Sequence, residues 1–167
     1  MSIAEFDEKS LHGITMKNFA GSALFERTFE EGMSLVEEAA RYFDGRGRQE
    51  ARSLPGQAAM LYSSESLRVT TRLMQAASWL LVQRAVLDGD MAAEDAASER
   101  YRLGSKEICC GGRVEDALSL PKGLQDLLAR SESLYRRIAR LEQVLSGTEK
   151  CGGVRTQFAR LEQAFSG

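Results

Sequence analysis

The residue types most diagnostic of an active centre are scarce in this chain, with one histidine, His12, and three cysteines, Cys109, Cys110 and Cys151. His12 lies in the aperiodic stretch before the first helical pattern, whereas a Ser-His-Asp or Cys-His constellation needs an imidazole held in place by a third group. Zinc is usually gripped by Cys-x₂₋₄-Cys pairs; here two thiols are adjacent and Cys151 stands 41 residues further on. An odd thiol count with an adjacent pair is no disulfide framework, so reduced cysteines are expected. The recurrence of Cys-Gly-Gly at Cys110 and Cys151 leaves a redox-sensitive role as the alternative. The carboxylate pairs Glu30-Glu31 and Glu37-Glu38 fall on the polar side of a helix, with nothing to push their pKa values apart. A di-iron bundle needs Glu-x-x-His motifs, which a single histidine excludes. No strand is predicted, so neither nucleotide-binding glycine fingerprint applies. The expectation is a protein that is not an enzyme, with no catalytic residue, metal or cofactor.

The elements that could position a site must therefore be read for surfaces. The 167 residues carry a net charge of −2 with both signs interspersed, which disfavours an electrostatic nucleic-acid binder. The acidic start MSIAEFDEKS has no basic or apolar signal region. The most apolar window, Leu73 to Val82, is far shorter than the ~20 residues that span a bilayer. A soluble, cytoplasmic domain is expected.

Three divisions follow: a loose arm over 1–20, a helical bundle over 21–147 and a flexible tail over 148–167. Ser22 is placed to cap a helix whose apolar stripe is Phe25, Phe29, Met33, Val36, Ala40 and Phe43. Asp44-Gly45-Arg46-Gly47 ends it, with Gly45 suited to a left-handed cap. A second helix from about Pro55 to Asp88 places Tyr62, Val69, Leu73, Ala76, Leu80 and Leu87 on one side. A shorter polar helix is expected from Ala92 to about Ser105, then a break at Cys109-Cys110. Leu120-Pro121 opens the last long helix, where Leu127, Ser131, Leu134, Ile138, Leu141 and Leu145 step in a coiled-coil-like pattern. Its Arg130, Arg136, Arg137 and Arg140 are balanced by Asp126, Glu132 and Glu142, a solvated face. The fold class is all-α, an antiparallel three-helix bundle with a short extra helix between the second and last long helices. In the tail, Ala139-Arg140-Leu141-Glu142-Gln143 recurs as residues 159–163, inside a short amphipathic segment (Phe158, Leu161, Phe165) that is too short to fold alone.

The run from Ala58 to Val86 has no Gly and no Pro and contains the only Trp. From Trp79 to Val82, large apolar residues point in every direction, and burying each is worth ~1.5–3 kcal/mol. The excess over what a three-helix bundle covers calls for an extra packed segment or a second subunit. A homodimer through Leu81, Val82 and Val86 is the preferred reading. Arg68, Arg72, Gln75 and Trp79 form a stripe of hot-spot residue types and are candidate partner contacts; structural ion pairs to neighbouring helices are the alternative.

Three segments of this chain resemble the RcdA family, the regulators of CtrA degradation of alphaproteobacteria. They are residues 25–38 (FERTFEEGMSLVEE), residues 65–75 (ESLRVTTRLMQ) continuing through 79–86 (WLLVQRAV), and the pattern Leu120-Pro121, Leu124, Leu127-Leu128, Ser131, Leu134-Tyr135, Arg140-Leu141. The resemblance covers about residues 22–146. It implies a dimeric helical bundle acting as an adaptor for the ClpXP protease, bridging cargo proteins to a protease primed by a response regulator in cell-cycle-regulated proteolysis. Recruitment to a cell pole goes with it. The alternative is a small helical-bundle sensor or structural protein binding a metal or small ligand.

Overall fold

The computed structural model describes residues 22–111 and 119–146. Among them six α-helices follow in order: α1 (Ala23–Asp44), α2 (Arg46–Arg52), α3 (Gly56–Asp88), α4 (Ala93–Ala96), α5 (Lys106–Cys109) and α6 (Lys122–Leu145). A 3₁₀ turn, Glu99–Tyr101, lies between α4 and α5. Helices α1, α3 and α6 make the bundle, so the all-α class stands. His12, Cys151, the end of the last helix at Gly147, the arm over 1–20 and the tail over 148–167 lie outside the described residues.

Ser22 caps α1, its hydroxyl accepting the Phe25 N–H at 3.2 Å. The seam that α1 buries is Phe25, Thr28, Gly32, Leu35 and Ala39, not the expected stripe of larger residues. Phe29, Met33, Val36 and Phe43 pack along its margin and Ala40 is exposed. The reason lies in the close approach of three helices. A Cβ at Gly32 would stand 2.7 Å from Leu80 Cδ1, so α1 wedges between its neighbours along small residues, which a pattern of large apolar side chains does not register.

Gly45 has φ −107° and ψ −107°, so the expected left-handed cap does not form. Instead the chain turns into α2, an element the sequence reading leaves as a loop. Tyr42 draws it back: its hydroxyl donates to Glu50 at 2.8 Å, and Arg46 holds the other Glu50 oxygen at 2.7 Å. These partners hold the Glu50 carboxyl below its ordinary range, Tyr42 contributing most.

Three ion pairs show the helix directions. Arg84 meets Glu26, Arg130 meets Glu38 and Arg137 meets Glu31, at 2.7, 2.8 and 2.8 Å. Helix α1 therefore runs antiparallel to both α3 and α6, and those two run parallel to each other. The expected antiparallel pairing holds for α1 only. Between α3 and α6 the chain must travel back along the bundle. Gly89, left-handed at φ 82°, starts the reversal. The polar helix expected over Ala92–Ser105 is accordingly broken into single turns, because a continuous helix rises only ~1.5 Å per residue and extended backbone covers the distance faster. Ser105, at φ 56°, marks the last bend before α5.

On α3 the expected core face holds through Tyr62, Val69, Leu73, Ala76 and Leu80, while Leu87 is half-buried. On α6, Leu127, Ser131, Leu134, Ile138 and Leu145 are buried as spaced, and Leu141 is partly buried. Adjacent residues on α3 differ sharply: Leu80 is 0% exposed and Leu81 53%. Leu80→Ala is expected to cost about 2–5 kcal/mol, and Leu81→Ala less than about 0.5 kcal/mol. Denaturant unfolding of both variants checks this register; equal losses would contradict it.

Candidate protein-interaction site

The four candidate partner residues on α3 come together, but under the chain's own crossover and not on an open surface. Arg72 is 2% exposed; its Nε donates to the Cys109 carbonyl at 2.8 Å and its Nη1 to the Leu128 carbonyl at 3.3 Å. Burial pushes its guanidinium below the ordinary value, and Glu132 opposes that shift. Gln75 Oε1 accepts the Gly104 N–H at 2.9 Å. Arg68 donates to the Gly111 carbonyl at 3.4 Å and lies 3.4 Å from Glu65. Trp79, 3% exposed, is covered by the same strap of chain. Tyr135 and Glu142 of α6 complete the clamp, the hydroxyl donating to the Gly104 carbonyl at 2.9 Å and the carboxylate accepting the Leu103 N–H at 2.6 Å. Interface residue types here serve an internal interface. The physical reason is that Arg and Trp suit any partly polar contact, whether within a chain or between chains.

Two of the three candidate dimer residues follow them inside. Val82 and Val86 are buried against Ala96, with Met91, Ala93 and Tyr101 around them. The extra apolar surface of α3 is therefore closed by an intrachain segment, the option set second in the sequence reading. Only Leu81 stays outside. Beside Trp79 a cavity of about 30 Å³, lined by Gln83, Tyr101, Arg102, Glu142 and Leu145, has room for one or two waters.

Cys109 is buried in the strap, and burial raises its thiol pKa; Cys110 is exposed. No group of three or more His, Cys, Asp or Glu is arranged to hold a metal among the described residues. The α6 arginines are largely paired as a solvated face: Arg130 with Glu38 and Asp126, Arg136 with Glu132, Arg137 with Glu31. Glu142 instead serves the strap. No described helix is long and apolar enough to cross a membrane.

What the sequence reading misses is the outer side of α3. Met60, Leu67, Met74 and Leu81 are all exposed large apolar residues, spaced by seven. Gln57, Ser63, Ser64, Thr70 and Ser78 are the other exposed residues of this stretch. Every charged residue of α3 before Asp88 (Glu65, Arg68, Arg72, Arg84) is buried or half-buried elsewhere. A solvent-facing helix side normally carries charge, and this one carries none over about six turns. The seven-residue spacing is in the sequence; that this side lacks a neighbour is not.

The strap is held mainly by hydrogen bonds from α3 and α6. Arg72→Met, which removes the guanidinium bonds to the Cys109 and Leu128 carbonyls, is expected to lose about 1–3 kcal/mol. Amide exchange should rise over residues 103–111 while α1 stays protected. Uniform loss of protection would place Arg72 in the general core instead.

A family model described as a protein of unknown function, DUF1465, matches residues 16–165, so the match extends over the tail as well as the bundle. The crystal structure of RcdA from Caulobacter crescentus CB15 is similar at 50% sequence identity, covering 77% of this chain and 96% of that chain with a TM-score of 0.64. No curated protein matches. By both the family model and this structure, the chain belongs to the RcdA-like DUF1465 family.

Proposed function

We propose that this protein is a non-enzymatic adaptor that binds cargo proteins and promotes their delivery to the ClpXP protease in cell-cycle-regulated proteolysis. The observation that carries the reading is the 50% identity to RcdA over most of both chains. An adaptor needs no reaction chemistry; tethering raises the effective concentration of cargo at the protease, which is enough to accelerate degradation. The charge-free outer side of α3 supports the reading, since an uncharged helix face with large apolar residues at regular intervals suits another protein surface. We assign that face to protein partners, and not the buried Arg72 and Trp79 or the half-buried Arg68 and Gln75. A second copy of the chain is among them, and Leu81 is the residue retained from the expected dimer contact. The site of action is the cytoplasm, with recruitment to a cell pole as part of the same proposal.

In a reconstituted assay with ClpXP and the response-regulator adaptor, adding this protein is expected to accelerate degradation of a cargo. No acceleration of any candidate cargo would overturn the reading. For self-association, Leu81→Asp is expected to lower the mass seen by light scattering to that of a monomer, with helicity unchanged. A mass equal to that of the parent protein would remove α3 from the dimer contact.

A further inference from the structure

The crossover from α3 to α6 is attached in two different ways. Its second half, residues 103–111, is pinned by side chains of both helices. Glu142 accepts the Leu103 N–H, Gln75 accepts the Gly104 N–H, Tyr135 donates to the Gly104 carbonyl and Arg72 to that of Cys109. At the other end Asp90 and Met91 both donate to the Ala85 carbonyl, at 2.9 and 3.1 Å, which fixes the chain where it leaves α3. Between these anchors, no hydrogen bond or ion pair among the described residues joins residues 92–102 to α3 or α6. We propose that residues 92–102 are a flap that opens between the two fixed ends while the bundle and the pinned half stay folded, and so controls access to Trp79, Gln83 and Val86 beneath it. The device concerns the covered side of α3, not the outer stripe, and stands independently of the adaptor reading.

Little holds the flap down. It consists of one helical turn, Ala93–Ala96, and one 3₁₀ turn, Glu99–Tyr101, each closed by hydrogen bonds within the flap itself. Its one buried side chain is Ala96, whose methyl sits against Val82 and Val86; Ala93 and Tyr101 are partly buried beside it. A methyl group removes little apolar surface from water, whereas every residue of the closed flap gives up backbone freedom. All its charged residues, Glu94, Asp95, Glu99, Arg100 and Arg102, are exposed, so lifting the flap uncovers no buried charge.

The contact beneath is also imperfect. Gln83 is 3% exposed, and its Oε1 meets no donor; the buried hydroxyl of Ser98, in the flap, is likewise unpaired. Gln83 lines the cavity of about 30 Å³ between Trp79 and Leu145 of the long helices and Ala96, Ala97, Tyr101 and Arg102 of the flap. Buried polar groups in a permanent contact are nearly all paired, and an unpaired one regains hydrogen bonds to water when its cover lifts. The closed flap therefore sets a small apolar gain against two unmet polar groups. Such a segment opens locally far more often than the whole domain unfolds.

Amide hydrogen exchange of the full chain tests the device residue by residue. The amides of Ala96, Ala97, Ser98, Tyr101 and Arg102 are all hydrogen-bonded within the closed flap, and they are expected to exchange at least about 100-fold faster than those of Leu103 and Gly104. Similar rates on the two sides of the Arg102–Leu103 junction would overturn the proposal. Trp79 is the only tryptophan, so its fluorescence reports the covered side directly. Ala96→Asp places a carboxylate against Val82 and Val86, where it cannot stay without water, and holds the flap open. Its Trp79 emission is expected to move to longer wavelength and to be quenched severalfold more by acrylamide, with Leu103 and Gly104 still protected. Unchanged emission and quenching would show that the flap does not gate Trp79. Loss of protection at Leu103 and Gly104 would show that it does not open alone. Either result overturns the proposal, and both are read on the isolated protein, apart from the degradation assay.

Discussion

The guanidinium of Arg72 is buried at the point where α3, α6 and the crossover meet, and a buried charge must find acceptors inside the protein. It finds them on two different stretches of chain, the Cys109 carbonyl at the end of α5 and the Leu128 carbonyl on α6. One side chain thus ties three parts of the fold together. The strap it holds has few apolar anchors, chiefly Ala96, Leu103 and Cys109. The remaining attachments are hydrogen bonds from Gln75, Tyr135 and Glu142 to backbone groups around Leu103 and Gly104. Such a clamp depends on every donor meeting its acceptor, because an unmet buried group costs more than a made bond returns.

This arrangement follows from helix direction. With α3 and α6 parallel, the chain has to return along the bundle, and the return path lies over α3. That path explains why α3 is apolar on so many sides without requiring a second subunit at each of them. One side faces α1 and α6, another faces the strap, and the remaining side carries the uncharged stripe. The ion pairs between α1 and its neighbours lie at half-exposed positions, where each is worth little energetically. Together they match α1 to both partners along its length.

The surface divides accordingly. Helices α1 and α6 present charged, paired faces that water covers well, while the outer side of α3 presents none. A protein that works by holding others needs such a difference between its faces, since an uncharged patch on a charged background is where desolvation costs least. The bundle supplies a rigid support for that patch, and its buried polar groups are used in the strap. For a scaffold, that division between support and contact surface is the relevant chemistry.

Much of this was legible in the residues themselves. The periods of α1, α3 and α6, the Ser22 cap and the buried residues of α6 are local or nearly local properties, set by capping and by helical spacing. The family likeness was legible too, through the long strings on α1 and α3. Other features required the assembled bundle. Gly32 and Ala39, not the larger Phe29 and Met33, line the seam because three helices approach closely there. Arg72 and Trp79 turned inward because the parallel helices force a crossover, whose course no local pattern encodes. Met60, Leu67, Met74 and Leu81 had their spacing written in the sequence, yet a seven-residue repeat reads the same whether a neighbour covers it or not. Sequence determines which sides of a helix are apolar. Only the packing of distant segments decides which of those sides are already covered and which remain open to a partner.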